Sequence, residues 1–248
     1  MSGHSKWSTI KRQKGATDAK RGQLFTKLSN AITLAVKQGG GISDPSFNFK
    51  LRLVIEAARN ANMPKDNIER AILRALGSLT DQMQEVMYEG FGPGGFSVIV
   101  QAVTDNKLRT NSEIRNLFEK HGGSLGVSGS VSYQFIQTGF IAITKAGMSA
   151  DDLYLLAADS GAEDVEDAGE EVIIYTKPDE LAKVRDALKE KGVTIQEAKL
   201  IRRPGVTSQV TDADIAKKAI SFTLLLEEHQ DVSEVFTNFD IPDSLLHV

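Results

Sequence analysis

The stretch FIAITKAGMSADDLYLLAADSGAEDVEDAGEEVIIYTKPDELAKVRDALKEKGVTIQEAKL, residues 140–200, decides the fold class. Phe140–Thr144 is a short apolar run with β-branched residues and reads as a strand. Ser149 with Asp152 three residues later opens a helix, along which Leu153, Leu156 and Ala157 recur at helical spacing. Ala162–Glu166 and Glu171–Tyr175 predict two more strands. Thr176 with Asp179 then opens a second helix, with Leu181, Val184 and Leu188 on one side, and residues 194–200 supply a last strand. The order is βαββαβ. Two helices on one face of an antiparallel sheet bury both apolar patterns at once, which is the ferredoxin-like arrangement.

Upstream, Val86–Glu89 and Phe96–Val103 read as strands separated by the turn-rich GFGPGG at 90–95. Thr110 with Glu113 predicts a helix start, Ile114, Leu117 and Phe118 follow at helical spacing, Gly122-Gly123 stops the helix, and Val131–Phe135 reads as a strand. Downstream, Thr211 with Asp214 starts a helix with Ile215, Ala219, Phe222 and Leu226 inward, and Val232–Phe239 makes a final strand. One helix and a strand cannot build a core alone. The simplest arrangement returns this tail to residues 81–136 and leaves 137–204 as an insertion.

The amino-terminal third has a different pattern. Residues 1–16 are polar, basic and without periodicity, an arm. From Thr17 the spacing of Leu24, Phe25, Leu28, Ala31, Ile32, Ala35 and Val36 predicts a helix ended by Gly39-Gly40-Gly41. A second helix carries Leu51, Val54, Ile55 and Ala58; a third opens near Pro64 and buries Ile68, Ala71, Ile72 and Ala75. The expected fold is multidomain α+β: an arm and three-helix domain at 1–80, then two ferredoxin-like α/β domains. The first of these is discontinuous, 81–136 with 205–248, and the inserted one is 137–204.

Charge is the strongest functional signal. Residues 1–80 hold 14 Lys and Arg against five acids, a balance of +9, so the remainder carries −13 within a total of −4. A split this steep suits a basic segment that meets a polyanion and an acidic remainder that limits indiscriminate sticking. There are no cysteines, which excludes disulfides and thiolate metal sites. No apolar run reaches the roughly 18 residues of a membrane span, and the basic amino terminus has no apolar stretch behind it. The expectation is a cytoplasmic protein with no membrane partner.

Candidate contacts begin in the arm. Lys6, Lys11, Arg12, Lys14, Lys20, Arg21 and Lys27 face Asp18 alone among acids in the first 27 residues. Such side chains reach phosphates and release counterions, giving affinity that falls with salt; the plain alternative is a solvated tail. Trp7 either stacks on a base or pins the arm to the helices. His4 either donates to a phosphate or is a surface residue. GFGPGG lacks the G-x-x-x-x-G-K-[ST] pattern of a phosphate loop, so its glycines are read as serving tight turns or close backbone approach. TDNKLRTNSE at 104–113, with Asp105, Asn106, Lys107, Arg109 and Asn111, joins a strand end to a helix start; it offers phosphate contacts or only local caps. HGGSLGVSGS at 121–130 is a contact loop or a plain connector. The acids Asp159, Glu163, Asp164, Glu166, Asp167, Glu170 and Glu171 make a solvated rim or a docking face for a basic protein partner. His4, His121, His229 and His247 show no metal-ligand spacing, and no nucleophile elbow occurs. The reading is a non-enzyme without cofactor or metal.

At the level of longer motifs, GHSKW at 3–7, DAKRG at 18–22, FTKL at 25–28 and NMPKDNIERAI at 62–72 together resemble the YebC/PmpR family. YEGFGPGG at 88–95, TDNKLRTNSEIR at 104–115, KHGGSLGVSGSVSY at 120–133 and NFDIP at 238–242 extend that resemblance over nearly the whole chain. The family includes the mitochondrial translational activator of cytochrome oxidase subunit one. The resemblance implies three domains, the third inserted in the second, and a role as a DNA-binding transcriptional regulator. It equally implies ribosome association, with contacts to ribosomal RNA that assist synthesis of difficult stretches such as consecutive prolines. It places Gly3 to Trp7, Lys11, Lys14, Lys20, Arg21 and Lys27 in a basic arm, and Lys107, Arg109, His121, Gly122 and Gly123 in central motifs facing the interdomain region. STIKRQKGAT departs from the usual arm, where a second histidine or an arginine-lysine-alanine run is common, at little cost in charge. An acidic-faced protein adaptor that binds no nucleic acid is the third reading.

Overall fold

The computed structural model describes residues 18–77 and 83–245. The chain has an amino-terminal helical region and two sheet-based α/β regions, a multidomain α+β fold. It divides into two compact units, 135–203 and the remainder.

Three helices open the larger unit: α1 (Asp18–Gln38), α2 (Phe49–Asn60) and α3 (Lys65–Ala75). Their apolar stripes meet in one cluster of Ile32, Ala35, Val36, Leu51, Ile55, Ala58, Met63, Ile68 and Ala71. The α1 stop works through backbone geometry: Gly41 takes φ +85° and returns its N–H to Val36 O at 2.9 Å, satisfying a terminal carbonyl. Asn48 caps α2 by accepting from Leu51 N–H at 3.0 Å, and its amide donates to Ala35 O at 2.9 Å and Ile42 O at 3.0 Å, stitching the connection to α1.

The sheet of this unit joins β1 (Gln84–Phe91), β2 (Ser97–Thr104), β3 (Ser124–Leu125) and β9 (Val232–Thr237) in the order β3-β1-β2-β9. β2 lies between β1 and β9, antiparallel to both, and every residue in it except Gln101 is buried. Helices α4 (Lys107–Lys120) and α7 (Ala213–Glu228) supply Phe118 and Phe222, which meet edge-to-face with centroids 5.0 Å apart. Phe96 stands edge-on to Phe222 and Phe239 at 6.3 and 5.1 Å. α1 packs against β2 and β9. A small parallel pair, β8 (Ser208–Gln209) with β10 (Phe239–Asp240), closes the tail.

The GFGPGG turn owes its glycines to crowding as well as to turn geometry. Gly94 and Gly95 have φ of +88° and +85°, as a tight turn asks, while a Cβ on Gly92 would lie 2.2 Å from Cζ of the buried Phe96 ring. Gly92→Ala is therefore expected to lower unfolding free energy by about 2 kcal/mol, an overpacking cost, read as a lower denaturation midpoint at unchanged slope.

In the unit 135–203, β4 (Phe135–Thr144), α5 (Ala150–Ser160), β5 (Asp164–Asp167), β6 (Glu171–Thr176), α6 (Leu181–Glu190) and β7 (Ile195–Pro204) follow in βαββαβ order, with strands arranged β5-β6-β4-β7. Alternation along β4 and β6 sends Phe140, Ala142, Ile173 and Tyr175 to one apolar cluster. Ile141, Ile143, Val172 and Ile174 take the opposite face and are fully buried. Ser149 caps α5 as its spacing predicts, accepting from Asp152 N–H at 3.1 Å and donating to the Asp152 carboxylate at 2.6 Å.

Several local expectations need correcting. Val131–Phe135 is not a strand: Ser132–Gln134 is a 3₁₀ turn and β4 begins at Phe135. The Thr110 cap is displaced, because Asn106 accepts from Arg109 N–H at 3.1 Å and starts α4 one turn earlier. Thr176 caps nothing, since its hydroxyl donates to Lys177 O at 2.8 Å and α6 starts at Leu181 without a side-chain cap. Asp212, one residue after Thr211, caps α7 by accepting from Asp214 and Ile215 N–H, both at 2.9 Å.

Candidate nucleic-acid interface

His4, Lys6, Trp7, Lys11, Arg12 and Lys14 lie outside the described residues. Lys20 and Arg21 stand in the first turn of α1, and Arg21 is exposed. Lys27 is half-buried and its ammonium donates to Glu227 O in the last turn of α7, where the helix dipole favours a cation. The base read as part of an arm thus also braces α1 against α7.

Two arginines of α3 are held in place by neighbouring polar groups. Arg70 and Arg74 are four residues apart and share one side of the helix. Arg74 Nη2 donates to Asn30 Oδ1 and Thr33 Oγ1, both at 3.0 Å, and to Ser29 Oγ at 3.4 Å, all on α1. Thr33 Oγ1 accepts also from Arg74 Nε at 3.3 Å, and itself donates to Ala71 O at 3.2 Å. Arg70 donates to Asn67 Oδ1 and to Asp66 O. These partners are hydroxyls, amides and a carbonyl, so both guanidiniums are oriented without being neutralised. Between α1 and α3 they edge a cleft of about 330 Å³, with Phe25, Thr26, Ser29, Asn30, Met63 and Asn67 among its lining.

The α4 motif behaves differently. Arg109 donates to Asp231 Oδ2 at 2.6 Å and to Asp105 Oδ1 at 3.3 Å. Thr110 Oγ1 donates to the same Asp231 oxygen at 2.7 Å and also contacts Thr104 Oγ1 at 2.8 Å, with both threonines buried. The hydrogen bond to Asp231 outweighs partial desolvation and holds the Arg109 guanidinium above its ordinary pKa. His229 Nε2 lies 2.9 Å from Glu113 Oε2. Glu113, His229 and Asp231 bring potential ligand atoms within 4.8 Å of one another. Arg109 already counters both carboxylates there, 3.9 Å from Glu113 and 2.6 Å from Asp231, so the group reads as a charge-paired lock between α4 and the α7–β9 turn. Lys107 and His121 are exposed at opposite ends of α4. Fourteen residues of helix separate them by roughly 20 Å, so they do not converge.

The glycine-rich 121–130 run is held by a carboxylate that spacing does not reveal. Glu89 on β1 is 3% exposed and accepts from Gly129, Val131 and Ser132 N–H at 2.8, 2.9 and 2.8 Å. Burial pushes this carboxyl up, but those three N–H groups with the Ser132 hydroxyl outweigh it and hold it below the ordinary carboxylate value. In the acidic stretch, Asp164 accepts from Arg203 at 2.7 Å and Asp167 from Lys145 at 2.8 Å. Asp164 and Asp167 are thus matched within the unit. The bond from Lys145 leads the causes that hold the Asp167 carboxyl below its ordinary pKa.

Sequence reasoning missed Ser29, Asn30, Thr33 and Asn67 as the setting of Arg70 and Arg74, and missed Glu89 and Asp231 as organising carboxylates. The four-residue arginine spacing, and Asn67 three residues before Arg70 on the same helix, were readable signals; the partners on α1, like Glu89 and Asp231, left none.

The family model described as TACO1/YebC protein N-terminal domain matches residues 5–78, and that described as TACO1/YebC second and third domain matches residues 83–239. A protein of Aquifex aeolicus described as "Probable transcriptional regulatory protein" is 47% identical over 247 residues, covering 99% of this chain and 98% of its own. One of Dictyoglomus turgidum with the same description is 47% identical over 248 residues, at 99% and 98% coverage. The crystal structure of a conserved hypothetical protein from Aquifex aeolicus is similar at a TM-score of 0.86 and 46% identity, covering 92% of this chain and 94% of that one. With both models matched and this identity sustained end to end, the chain belongs to the TACO1/YebC family.

Proposed function

We propose that the protein is a nucleic-acid-binding regulator whose basic first 80 residues make the contact, and that the contact serves transcriptional regulation on DNA. The observation that carries the binding is the +9 balance of that segment within a chain of net charge −4. The relatives' description as probable transcriptional regulators supports the regulatory part. Lys6, Lys11, Arg12, Lys14, Lys20 and Arg21 reach phosphates, and His4 and Trp7 assist; Lys107 and His121, at opposite ends of α4, are separate secondary contacts. The activity needs no catalytic residue, cofactor or metal.

A second reading, binding of folded RNA on the ribosome, is favoured by one observation. α1 and α3 form a concave cleft between them, and a concave surface does not enter a major groove as a recognition helix does. The 159–171 acids remain a docking face for a basic protein partner under either reading. We further read residues 135–203 as a ferredoxin-like domain inserted into a second α/β domain, supported by its βαββαβ order and β5-β6-β4-β7 arrangement.

Replacing Lys11, Lys14, Lys20 and Arg21 together with alanine is expected to weaken nucleic-acid binding sharply at unchanged circular dichroism. It should also reduce the slope of log K against log salt by roughly three. Titration of labelled nucleic acid at two salt concentrations measures both, and an unchanged affinity and slope exclude the arm. Cross-linking and sequencing of nucleic acid bound in cells separates the two targets: recurrent promoter DNA selects transcription, ribosomal RNA selects translation.

A further inference from the structure

We infer that the α1–α3 cleft seats a single extruded nucleotide of single-stranded RNA, with its phosphate on Arg70 and Arg74 and its base against the Phe25 side. This rests on the second of the two readings above, RNA binding, and gives it a place on the folded surface and a ligand form.

Size comes first. A cleft of about 330 Å³ falls at the lower end of the roughly 300–1,000 Å³ typical of small-ligand sites. It admits one protruding unit and not a double helix. Single-stranded loops and bulges present such units, because their bases are free to splay out of the stack.

Chemistry comes second. The two guanidiniums are held by Asn30, Thr33, Ser29, Asn67 and one backbone carbonyl, and neither meets a carboxylate among the described residues. An arginine fixed by neutral acceptors keeps its full charge and has already surrendered its rotamer freedom; Nε and Nη2 of both are engaged, and among the described residues each Nη1 is left to donate to a phosphate oxygen. The rim amides and hydroxyls offer donors and acceptors suited to a base edge and a ribose 2′-hydroxyl. Phe25, Met63 and Ala71 give the cleft an apolar side on which the face of a base loses water.

The neighbouring surface sets a limit. A second cleft of about 260 Å³ shares Thr26, Asn30 and Arg74 with the first, but Asp105 and Asp231 line it beside Arg109. Acids there repel a phosphodiester. The strand therefore leaves the first cleft on the side away from α4, and Arg109 serves the fold rather than the ligand.

The test uses the full chain and three labelled probes of equal length, namely an unstructured RNA, a hairpin-loop RNA and a duplex DNA, followed by fluorescence anisotropy. Arg70→Gln with Arg74→Gln is expected to weaken binding of both RNAs by about a hundredfold, at about tenfold per guanidinium. Because Arg74 also ties α3 to α1, Asn67→Asp is the second variant. It keeps shape and fold while matching the charge of Arg70, and is expected to cost about tenfold. RNA carrying 4-thiouridine should cross-link to Phe25 or Met63 in the wild type and not in the double variant. If Asn67→Asp and the double variant, both folded by thermal melt, bind RNA as the wild type does, the cleft is not the site and the arm reading survives. If the variants lose duplex DNA and retain RNA, the ligand assignment is wrong. If the wild type binds none of the probes in a salt-dependent way, the nucleic-acid reading falls and this inference with it.

Discussion

Glu89→Ala is expected to lower unfolding free energy by roughly 4 kcal/mol. The substitution strips the partner from three N–H groups at Gly129, Val131 and Ser132, and the last two are buried or half-buried. Each donor left without an acceptor costs about 1–3 kcal/mol, with water reaching Gly129 and reducing its share. Glu89→Gln should recover about half of the loss, since one oxygen remains but an NH₂ group now faces donors. Chemical denaturation measures the difference. Its pH dependence has a defined sign. The folded carboxyl sits below its ordinary 4.5, so its contribution is complete above that value and is lost as pH falls through the lower folded value. The gap between wild type and Glu89→Gln should close in acid; a gap unchanged across that range would show that the charge contributes nothing.

Asp231→Ala is expected to cost roughly 3 kcal/mol. Its side chain is only 8% exposed and accepts from both Arg109 and Thr110. Removing it takes the charged acceptor from the buried Thr110 hydroxyl, which falls back on Thr104 Oγ1 and Asn106 O, and leaves Arg109 with the more exposed Asp105 and Glu113. The guanidinium is 37% exposed and rehydrates in part, which keeps the cost at the low end of that for breaking a buried pair, about 3–5 kcal/mol. A double-mutant cycle with Arg109→Ala by thermal melt should show that the two substitutions together cost less than their sum. Strict additivity would mean that the short contact carries no energy.

The α1–α3 bundle, β1, β2 and the elements of residues 140–200 were readable because their patterns are periodic and local. Leu153 and Ala157 on α5, and Ile68 and Ala71 on α3, recur at a spacing that only a helix brings to one side, and all four are buried. Caps were less legible. Ser149 held because its Asp152 partner is in place, whereas Thr110 looks like a cap and instead spends its hydroxyl on Thr104 and Asp231, a residue 121 positions away. Val131–Phe135 reads as a strand by composition, yet its N–H groups are claimed by Glu89 from across the fold. β3, β8 and β10 have only two residues each, too few for any pattern. Of the candidate site, the charge imbalance and the α3 arginines are written in sequence. Their α1 partners are not, because no spacing rule links Arg74 to Asn30 over 44 residues.

The order in which the strands are made has its own result. β2 is central in its sheet, but one of its two neighbours, β9, begins at Val232, after the 135–203 unit has intervened. During synthesis, residues 135–203 carry all four strands of their own sheet and can collapse as they emerge. The earlier β1–β2 hairpin meanwhile offers an unpaired apolar margin until β9 emerges to cover it. A ribosome that stalls between Pro204 and Val232 exposes that margin, and so creates a candidate substrate for chaperones and for self-association.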